Sequence, residues 1–366
     1  MRNLIVFGLF FILSLKADFL LLKENKWDLT NFPLKGVRKV KMEGDLVYLL
    51  SRENLYLLDL KDNSFRKLLK RGGGPGEITA IEDFQLLEDK IVVFNRNPYK
   101  LVFCDKRGSF IDEKKVSTIK QIEFLFYFKG NSYFLAFEPL FARERKPHVV
   151  EIGAQIAHFK EQKNKFVYER SLFNYKKKYF IAPIGNSIAA MQLWGYIKCP
   201  LTQKKFLFLD SPQYQILLVD AKKLKIARLM KDFKRVKVND KNKKYLYFDC
   251  LFFGGKCITP PYPKFYFDVI SLLSKEKNFL VFTSRVKNQN QLEVHEYNSD
   301  GKFLRKIYVK FPPNFNPYSL RFVPHDLDGN YLITFQYDRD YTPLLIRYLI
   351  KSNQRYKPKM SSTRRH

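Results

Sequence analysis

The chain has 366 residues, with 66 Lys and Arg against 36 Asp and Glu, so its formal net charge is +30. This length allows one large all-β domain as well as two smaller domains. The four cysteines are too few and too scattered for a disulfide scaffold, in a chain that is large enough to bury a real core.

The first residues form a candidate export signal. A basic residue at position 2 precedes the apolar run Leu4–Leu15, which is too short for a comfortable membrane span. This pattern predicts a signal peptide over residues 1–17, although Leu15 fits a cleavage site after Ala17 poorly and an uncleaved anchor stays open. The chain is therefore predicted to be an exported bacterial protein, either periplasmic, extracellular or attached to the outside of the inner membrane. Its only predicted membrane contact is this N-terminal segment.

The positive charge has two interpretations. Residues 1–17 contain only two basic residues, so the excess belongs to the mature chain. One interpretation is recruitment of polyanions such as nucleic acid, anionic lipid headgroups or acidic polysaccharide. The other is a compositional drift toward Lys, Phe, Tyr and Asn, as an A/T-rich genome would produce. Basic residues are spread along the whole chain, which favours a solvated surface over nucleic-acid binding.

From Val37 onward the chain consists of short β-rich runs separated by polar turns, and no helical period persists before Ile350. A glycine-rich connector, Gly-Gly-Gly-Pro-Gly-Glu at 72–77, separates the first two groups of strands. The first group is predicted at Leu46–Leu50, Leu55–Leu60 and Phe65–Leu69. The second is predicted at Asp83–Leu87, Lys90–Phe94 and Leu101–Asp105, with a fourth strand beginning at Phe110.

The segment from Arg71 to Ile111 carries a resemblance to a known family. It combines the glycine-rich connector, a strand triplet, an Asn-x-Asn-Pro turn at 95–98 and Arg-Gly-Ser-Phe at 107–110. This arrangement resembles the six-bladed β-propeller proteins related to NHL repeats, in the TolB-like propeller superfamily. The resemblance implies an all-β fold, a six-bladed β-propeller of four-stranded antiparallel blades, and no established reaction. A blade hides both apolar faces only between neighbours, so the blades are expected to close into a ring.

Four further groups of strands complete the predicted ring. They lie at Ile122–Phe128, Ser132–Phe137, Val149–Ile152 and Ala157–Phe159; at Ser187–Leu193, Lys205–Leu209 and Ser211–Asp220; at Phe267–Leu273, Asn278–Thr283, Leu292–Tyr297 and Phe303–Val309; and at Tyr318–Pro324, Tyr331–Gln336 and Leu344–Leu349. The turn and strand at 211–220 echo those at 97–105. The offset between Pro98 and Pro212 is 114 residues, which corresponds to two to three blades.

One monomeric propeller domain is predicted over residues 37–350. The basic tail 351–366 is predicted to be disordered. The segment Asp232–Tyr266 is lysine-rich, then aromatic, then proline-rich, and is interpreted as an excursion between blades. Within it, a two-residue turn between two cysteines would set Cys257 opposite Phe252 and leave Cys250 out of register.

The sequence contains no recognisable motif for catalysis, metal binding or cofactor binding. The glycine cluster lacks the Gly-Lys-Ser/Thr of a phosphate loop and precedes a strand, so a structural connector is favoured. Without C-x-x-C, H-E-x-x-H or G-x-S-x-G, no metal site, no cofactor and no nucleophilic serine is predicted. Isolated carboxylates such as Asp83, Glu138 and Asp268 are candidates to converge near a central channel, yet catalysis lacks support.

Eight residues are candidate ligand-binding positions. Two flank the glycine connector, where a carboxylate can accept backbone N–H groups. Others belong to segments 96–100 and 141–145, where aromatic and basic residues interleave in a mixture that suits stacking on sugars and pairing with anions. The last two precede a strand, where a turn-stabilising aspartate is the alternative. The set is Arg71, Glu77, Arg96, Tyr99, Arg143, Arg145, His325 and Asp326.

The sequence favours a non-catalytic binding or protein-interaction scaffold with a protein or an anionic carbohydrate as its partner. The loops of such a ring vary freely in sequence and length, so the fold does not define the biochemical function. One alternative is a propeller enzyme, a lyase or hydrolase acting on an anionic polysaccharide, which requires ionisable side chains to converge in an axial pocket. Another is nucleic-acid binding, which requires one contiguous basic face and steep salt dependence.

Overall fold

The computed structural model describes residues 19–352, apart from 35, 53, 119, 139–146, 185–186, 193–195, 240–250, 254–255, 259–262, 288–289, 314 and 339. Strands make up nearly all regular structure in this part of the chain, which contains a single short 3₁₀ helix at Pro317–Arg321. None of its helical structure has the length and apolar character needed to cross a bilayer.

The strands form six blades in chain order. After β1 (Phe19–Asp28), the first blade contains β2 (Val37–Glu43), β3 (Leu46–Ser51), β4 (Asn54–Asp59) and β5 (Phe65–Lys67). The second contains β6 (Ile81–Leu86), β7 (Lys90–Asn95), β8 (Lys100–Asp105) and β9 (Phe110–Ser117). The third contains β10 (Gln121–Phe128), β11 (Asn131–Phe137), β12 (His148–Gln162) and β13 (Lys165–Ile184), and β14 (Ser187–Gln192) pairs with β13.

The remaining strands complete the ring. The fourth blade contains β15 (Ile197–Thr202), β16 (Lys205–Leu209), β17 (Gln215–Asp220) and β18 (Lys225–Met230). A separate hairpin of β19 (Leu251–Phe253) and β20 (Lys256–Ile258) follows. The fifth blade contains β21 (Val269–Lys275), β22 (Asn278–Lys287), β23 (Gln291–Asn298) and β24 (Phe303–Lys310). The sixth contains β25 (His325–Asp328), β26 (Tyr331–Tyr337), β27 (Pro343–Ser352) and, as its outermost strand, β1.

The first strand of the chain closes the ring. β1 pairs antiparallel with β27 from Phe19 opposite Ser352 to Asp28 opposite Leu344. It also forms a short parallel pairing with β24, where Phe19 lies opposite Val309. The last blade therefore takes its fourth strand from the start of the chain, which covers the backbone groups that β27 would otherwise leave unpaired. This strand lies outside the range 37–350 predicted for the propeller.

The hydrophobic core is divided among the six contacts between neighbouring blades. Successive side chains of a strand point to opposite faces of its sheet, so each blade serves two contacts. In β7, Ile91 and Val93 pack against the first blade, whereas Val92 and Phe94 pack against the third. Equivalent clusters join blades three and four, four and five, five and six, and six and one. A ring of six blades is therefore present, as predicted.

Blades three and four differ from the sequence prediction. The predicted strands Val149–Ile152 and Ala157–Phe159 are one continuous strand, and its long partner β13 had not been predicted. The segment predicted at Ser187–Leu193 was assigned wrongly to the fourth blade, because its described part, β14, pairs with β13. The inner strand of the fourth blade is β15, whose sequence Ile-Lys-Cys-Pro-Leu-Thr is too polar to resemble a buried strand.

The sixth blade also departs from the prediction. Tyr318–Pro324 is not a strand, because most of it forms the 3₁₀ helix. Asn316 caps this helix by accepting a hydrogen bond from the Tyr318 backbone N–H at 3.1 Å, and Pro317 supplies a backbone angle suited to a helix start. The inner strand is the short β25. The sequence signal for a strand was apolar content, which a helical turn satisfies equally well.

The connection between blades four and five contains the β19–β20 hairpin. Phe252 lies opposite Cys257, which is the register predicted for a two-residue turn. Cys250 lies outside the described residues. The predicted signal peptide lies within residues 1–18 and most of the predicted basic tail lies within residues 353–366, and both ranges are also outside the described residues.

Candidate functional site

Irregular pairing near the start of several inner strands turns additional side chains toward the ring axis. The register shifts between Val37 and Lys39, between Ile81 and Asp83, and between Val269 and Ser271. A regular strand presents every second side chain to one face, whereas a bulge lets two consecutive residues share it. Three such consecutive pairs line one axial pocket: Arg38 and Lys39, Glu82 and Asp83, and Ile270 and Ser271.

The axial pocket encloses about 310 Å³ at the end of the channel where the inner strands begin. Its wall also includes residues at the start of the fourth blade and residues from the 3₁₀ helix to the first residue of β25. The charged groups of the lining are five cations and two carboxylates, namely Arg38, Lys39, Lys41, Lys198, Arg321, Glu82 and Asp83. The pocket is therefore strongly basic.

Asp83 connects several blades across the pocket. Its Oδ1 accepts a hydrogen bond at 2.7 Å from Lys39 Nζ of the first blade, and its Oδ2 contacts Lys198 Nζ of the fourth. Lys39 Nζ also donates to the Phe84 carbonyl oxygen at 2.7 Å, and Lys198 Nζ donates to the Phe124 carbonyl oxygen in the third blade. One buried carboxylate thus joins charged side chains from three of the six blades, and Lys198 reaches the backbone of a fourth.

A second ion pair joins the first and last blades. Lys41 Nζ lies 2.6 Å from Asp326 Oδ1, and the Met42 backbone N–H donates to Asp326 Oδ2 at 2.9 Å. Both Asp326 oxygens are therefore engaged, so this aspartate supports the pocket from behind by holding the lining residue Lys41.

Burial and mutual proximity shift the pKa values of these groups. Burial alone would raise the pKa of Asp83, but Lys198 and Lys39 outweigh it and lower that pKa to about 2. Burial lowers the pKa of Lys39 to about 8. The attraction of Asp83 offsets only part of this effect of burial, and repulsion from Lys198 and Lys41 lowers the pKa further. Burial also lowers the pKa of Arg321 to about 10, which leaves its guanidinium charged at neutral pH.

Uncharged polar side chains, among them His325, Ser271 and Cys199, line the same pocket. His325 Nδ1 lies 2.6 Å from the Val323 carbonyl oxygen, and its Nε2 lies 2.5 Å from Ser271 Oγ. Burial is the main reason why the pKa of His325 is lowered, so its imidazole is neutral at pH 7. Burial likewise raises the pKa of Cys199 to about 11, so its thiol remains protonated and is a poor nucleophile.

Three predicted site residues lie at or beside this pocket. His325 lines it, and Asp326 supports it through Lys41. Arg96 is exposed beside it, with Nη1 3.6 Å from Oε2 of the lining residue Glu82. Of the carboxylates considered for a central channel, Asp83 lies there, whereas Asp268 pairs with Arg235 at 2.9 Å and Glu138 is exposed.

The other predicted positions do not line the axial pocket. Glu77 Oε2 accepts a hydrogen bond from the Gly74 backbone N–H at 2.9 Å and lies 2.1 Å from where a Cβ on Gly72 would be. The protein's own carboxylate therefore occupies the glycine connector, which makes it a poor phosphate cradle. Arg71 forms a backbone bridge with Ile78, and Tyr99 stacks on Phe94 at 5.8 Å. The predicted site residues Arg143 and Arg145 lie outside the described residues.

Sequence reasoning missed most of the residues that define the pocket. Arg38, Lys39, Lys41 and Lys198 belong to inner strands that had not been predicted, and Arg321 belongs to a segment that had been predicted wrongly as a strand. A usable signal was the run Val-Arg-Lys-Val-Lys at 37–41, whose charges are unusual in the innermost strand of a blade.

A second basic pocket of about 630 Å³ lies between the outer part of the fifth blade and residues 234–239 of the connection that precedes it. Its cations are Lys234, Arg235, Arg285, Lys287 and Lys306. Glu293 pairs with Arg285 at 3.3 Å, and Arg235 pairs with Asp268. Within the described residues, no group of three or more His, Cys, Asp or Glu side chains is arranged to hold a metal ion.

Comparison with known proteins supports the fold. Residues 19–189, just under half of the chain, match a family model described as a 6-bladed beta-propeller. No curated protein matches the chain. Together with the six inter-blade clusters, the family match shows that this is a six-bladed β-propeller, while a specific relationship to NHL repeats stays a prediction.

Several solved structures follow a similar course with little shared sequence. A candidate exported protein of Bacteroides fragilis is 12% identical, with 92% of this chain and 95% of that one covered at a TM-score of 0.45. Regucalcin, a calcium-binding protein of Agrobacterium tumefaciens, is 10% identical over 93% and 98% at a TM-score of 0.36. The beta-propeller domain of Cps50 from Myceliophteria thermophila is 9% identical over 90% and 100% at a TM-score of 0.37.

Proposed function

We propose that this propeller is a binding module that takes a small anionic ligand in its axial pocket. The observation that supports this proposal is the convergence of five cationic side chains, against two carboxylates, on a pocket of about 310 Å³. A cavity of this size suits a small acid or the terminal group of an acidic saccharide, and it is too small for a nucleic-acid duplex. The apolar N-terminal segment supports export of the module.

Ion pairs and backbone hydrogen bonds hold the cationic side chains of the pocket in place, and the pocket keeps an excess of positive charge that attracts an anion. Asp83 is shared between Lys39 and Lys198, and Asp326 neutralises Lys41. Arg38 directs its Nη2 to the carbonyl oxygens of Arg52 at 2.5 Å and Ile81 at 2.7 Å, which fixes the guanidinium without cancelling its charge. Hydrogen bonds to charged groups are strengthened where water is partly excluded, so a carboxylate or phosphate is the complementary ligand.

Isothermal titration calorimetry with succinate and inorganic phosphate at low salt tests the proposal. We expect 1:1 binding of at least one of these probes. Replacing Arg321 by Gln should weaken that binding about tenfold or more, because it removes a charged donor from the pocket.

Lys287→Gln is the matched control, because it removes a cation from the second basic pocket and should leave the affinity unchanged. The proposal is wrong if neither probe binds the wild-type protein. It is equally wrong if both substitutions weaken binding to the same extent, since a diffuse surface charge would then explain the attraction.

A further inference from the structure

Ser271 and His325 form a side-chain pair in the axial pocket that anion binding alone does not explain. Ser271 is on the inner strand of the fifth blade and His325 begins the inner strand of the sixth. Ser271 Oγ and His325 Nε2 are 2.5 Å apart, and both residues line the pocket. A serine and a histidine in hydrogen-bond contact beside a cavity are the minimal parts of an activated hydroxyl nucleophile.

The second ring nitrogen defines the direction of this hydrogen bond. His325 Nδ1 lies 2.6 Å from the carbonyl oxygen of Val323, which can only accept, so Nδ1 carries the proton. In the neutral imidazole, Nε2 is then an acceptor, and the Ser271 hydroxyl donates to it. The Val323 carbonyl thus performs the orienting role that a carboxylate has in a Ser-His-Asp triad.

The backbone holds Ser271 at the pocket wall. The register shift between Val269 and Ser271 turns Ser271 to the pocket side together with its neighbour Ile270, although only 2% of Ser271 is solvent-exposed. Bulges of this kind often re-aim a side chain at a functional site. Burial keeps His325 neutral, with Asp326 favouring and Lys41 opposing its protonated form. A neutral imidazole is the form required of a general base.

We infer that Ser271 and His325 make the axial pocket a hydrolase site for small esters whose acyl portion carries a negative charge. Ser271 Oγ attacks the ester carbonyl carbon while His325 Nε2 takes the hydroxyl proton. The bond to the leaving alcohol breaks, and His325 returns the proton to that oxygen. Water then attacks the acyl-serine with His325 as base, which releases the acid and regenerates Ser271.

The cations of the pocket explain the preferred substrate class. Negative charge develops on the carbonyl oxygen during attack, and Lys41 and Arg321 line the same cavity as Ser271. A remote carboxylate on the acyl chain would be held by the other basic side chains. This inference rests on the proposed anion site for substrate preference, whereas the covalent chemistry of Ser271 is independent of it.

Hydrolysis of mono-p-nitrophenyl succinate tests the inference, with neutral p-nitrophenyl acetate as the comparison ester. We expect turnover of the succinate ester and covalent labelling of Ser271 by a fluorophosphonate, located by peptide mass spectrometry. Ser271→Ala and His325→Gln should each reduce turnover at least about 100-fold. Both variants should still bind succinate in calorimetry, which verifies that the pocket is intact.

Ser274→Ala is the matched control, because Ser274 lies on the same strand and its Oγ donates to the Leu201 carbonyl oxygen, away from His325. Its turnover should equal that of the wild type. Absence of turnover and of Ser271 labelling in a wild-type protein that binds succinate overturns the hydrolase inference alone. Turnover that survives Ser271→Ala also overturns it. Failure of the wild type to bind succinate or phosphate contradicts the anion site instead.

Discussion

Asp83 shows how one side chain determines the electrostatics of the axial pocket. It holds Lys39 and Lys198 at hydrogen-bond distance, and its own side chain is 11% exposed. A carboxylate that is stabilised in the folded state by two ammonium groups binds protons less readily there than in the unfolded chain. Its ionised form therefore stabilises the fold, and the stabilisation depends on pH.

Asp83→Asn should remove this pH-dependent stabilisation. The pKa of Asp83 falls from 3.8 to about 2, so its contribution is complete above pH 3.8 and disappears as the pH falls toward 2. The shift corresponds to about 2 kcal/mol of unfolding free energy. Urea denaturation of wild type and Asp83→Asn should show a stability difference that shrinks by about this amount between pH 5 and pH 2.

Asp89→Asn is the control, because the Asp89 side chain is 73% exposed and only approaches Lys90 at 3.7 Å. A stability difference for Asp83→Asn that is constant across this pH range would contradict the assigned role of the carboxylate.

At the scale of the element, tight turns fix how neighbouring blades meet. The turn between β8 and β9 contains Gly108, whose φ of +90° is one that residues with a side chain rarely adopt. A Cβ at this position would lie 2.5 Å from the carbonyl oxygen of Leu68, which follows the outer strand of the first blade. The turn of the second blade thus packs directly on backbone of the first, and the absence of a side chain permits the approach.

Gly108→Ala should be more destabilising than Gly44→Ala. Gly44 also has a positive φ, of +61°, but no atom lies within 4 Å of its Cβ position. Gly44→Ala should therefore lower the free energy of unfolding by only about 1 kcal/mol, the cost of placing alanine at a positive φ. Gly108→Ala should lower it by roughly 2 to 3 kcal/mol, because the backbone near Leu68 must also move. Chemical denaturation measures both, and equal losses would show that the contact with Leu68 relaxes without cost.

For the whole molecule, stability depends on closing the ring with the strand that begins it. β1 supplies Leu21 to the cluster between blades five and six, where 4% of the side chain remains exposed. The neighbouring Leu22 is 42% exposed, as expected for alternate residues of an outer strand. The first and last segments of the propeller are therefore held together by one sheet.

Leu21→Asp should open this closure, and Leu22→Asp should not. A carboxylate buried without a partner costs at least about 3 kcal/mol, while an exposed one costs within about 1 kcal/mol. Thermal unfolding followed by circular dichroism should show a much lower Tm for Leu21→Asp only. If both variants unfold at the wild-type temperature, β1 does not contribute to ring stability.

Much of the fold was predictable because the sequence pattern that marks each propeller strand is local. Strands β3, β4, β7 and β8 are confirmed within one or two residues, because alternating apolar residues and polar turns lie within a short window of sequence. The echo between Pro98 and Pro212 is confirmed as two equivalent loops two blades apart. The long strand Lys165–Ile184 and the polar strand β15 were not predicted. The length of the first and the burial of the second depend on the strands with which they pair.

By itself, the sequence determined the six-bladed all-β ring, because every blade repeats the same alternation and must bury both faces against neighbours. Only the tertiary structure decided two other features. It placed Phe19–Asp28 in the last blade, since that pairing joins segments about 320 residues apart in sequence. It also brought Lys39, Asp83, Lys198, Ser271 and His325 to one axis, because inner-strand bulges and ring closure set their distances, and neither leaves a local signal.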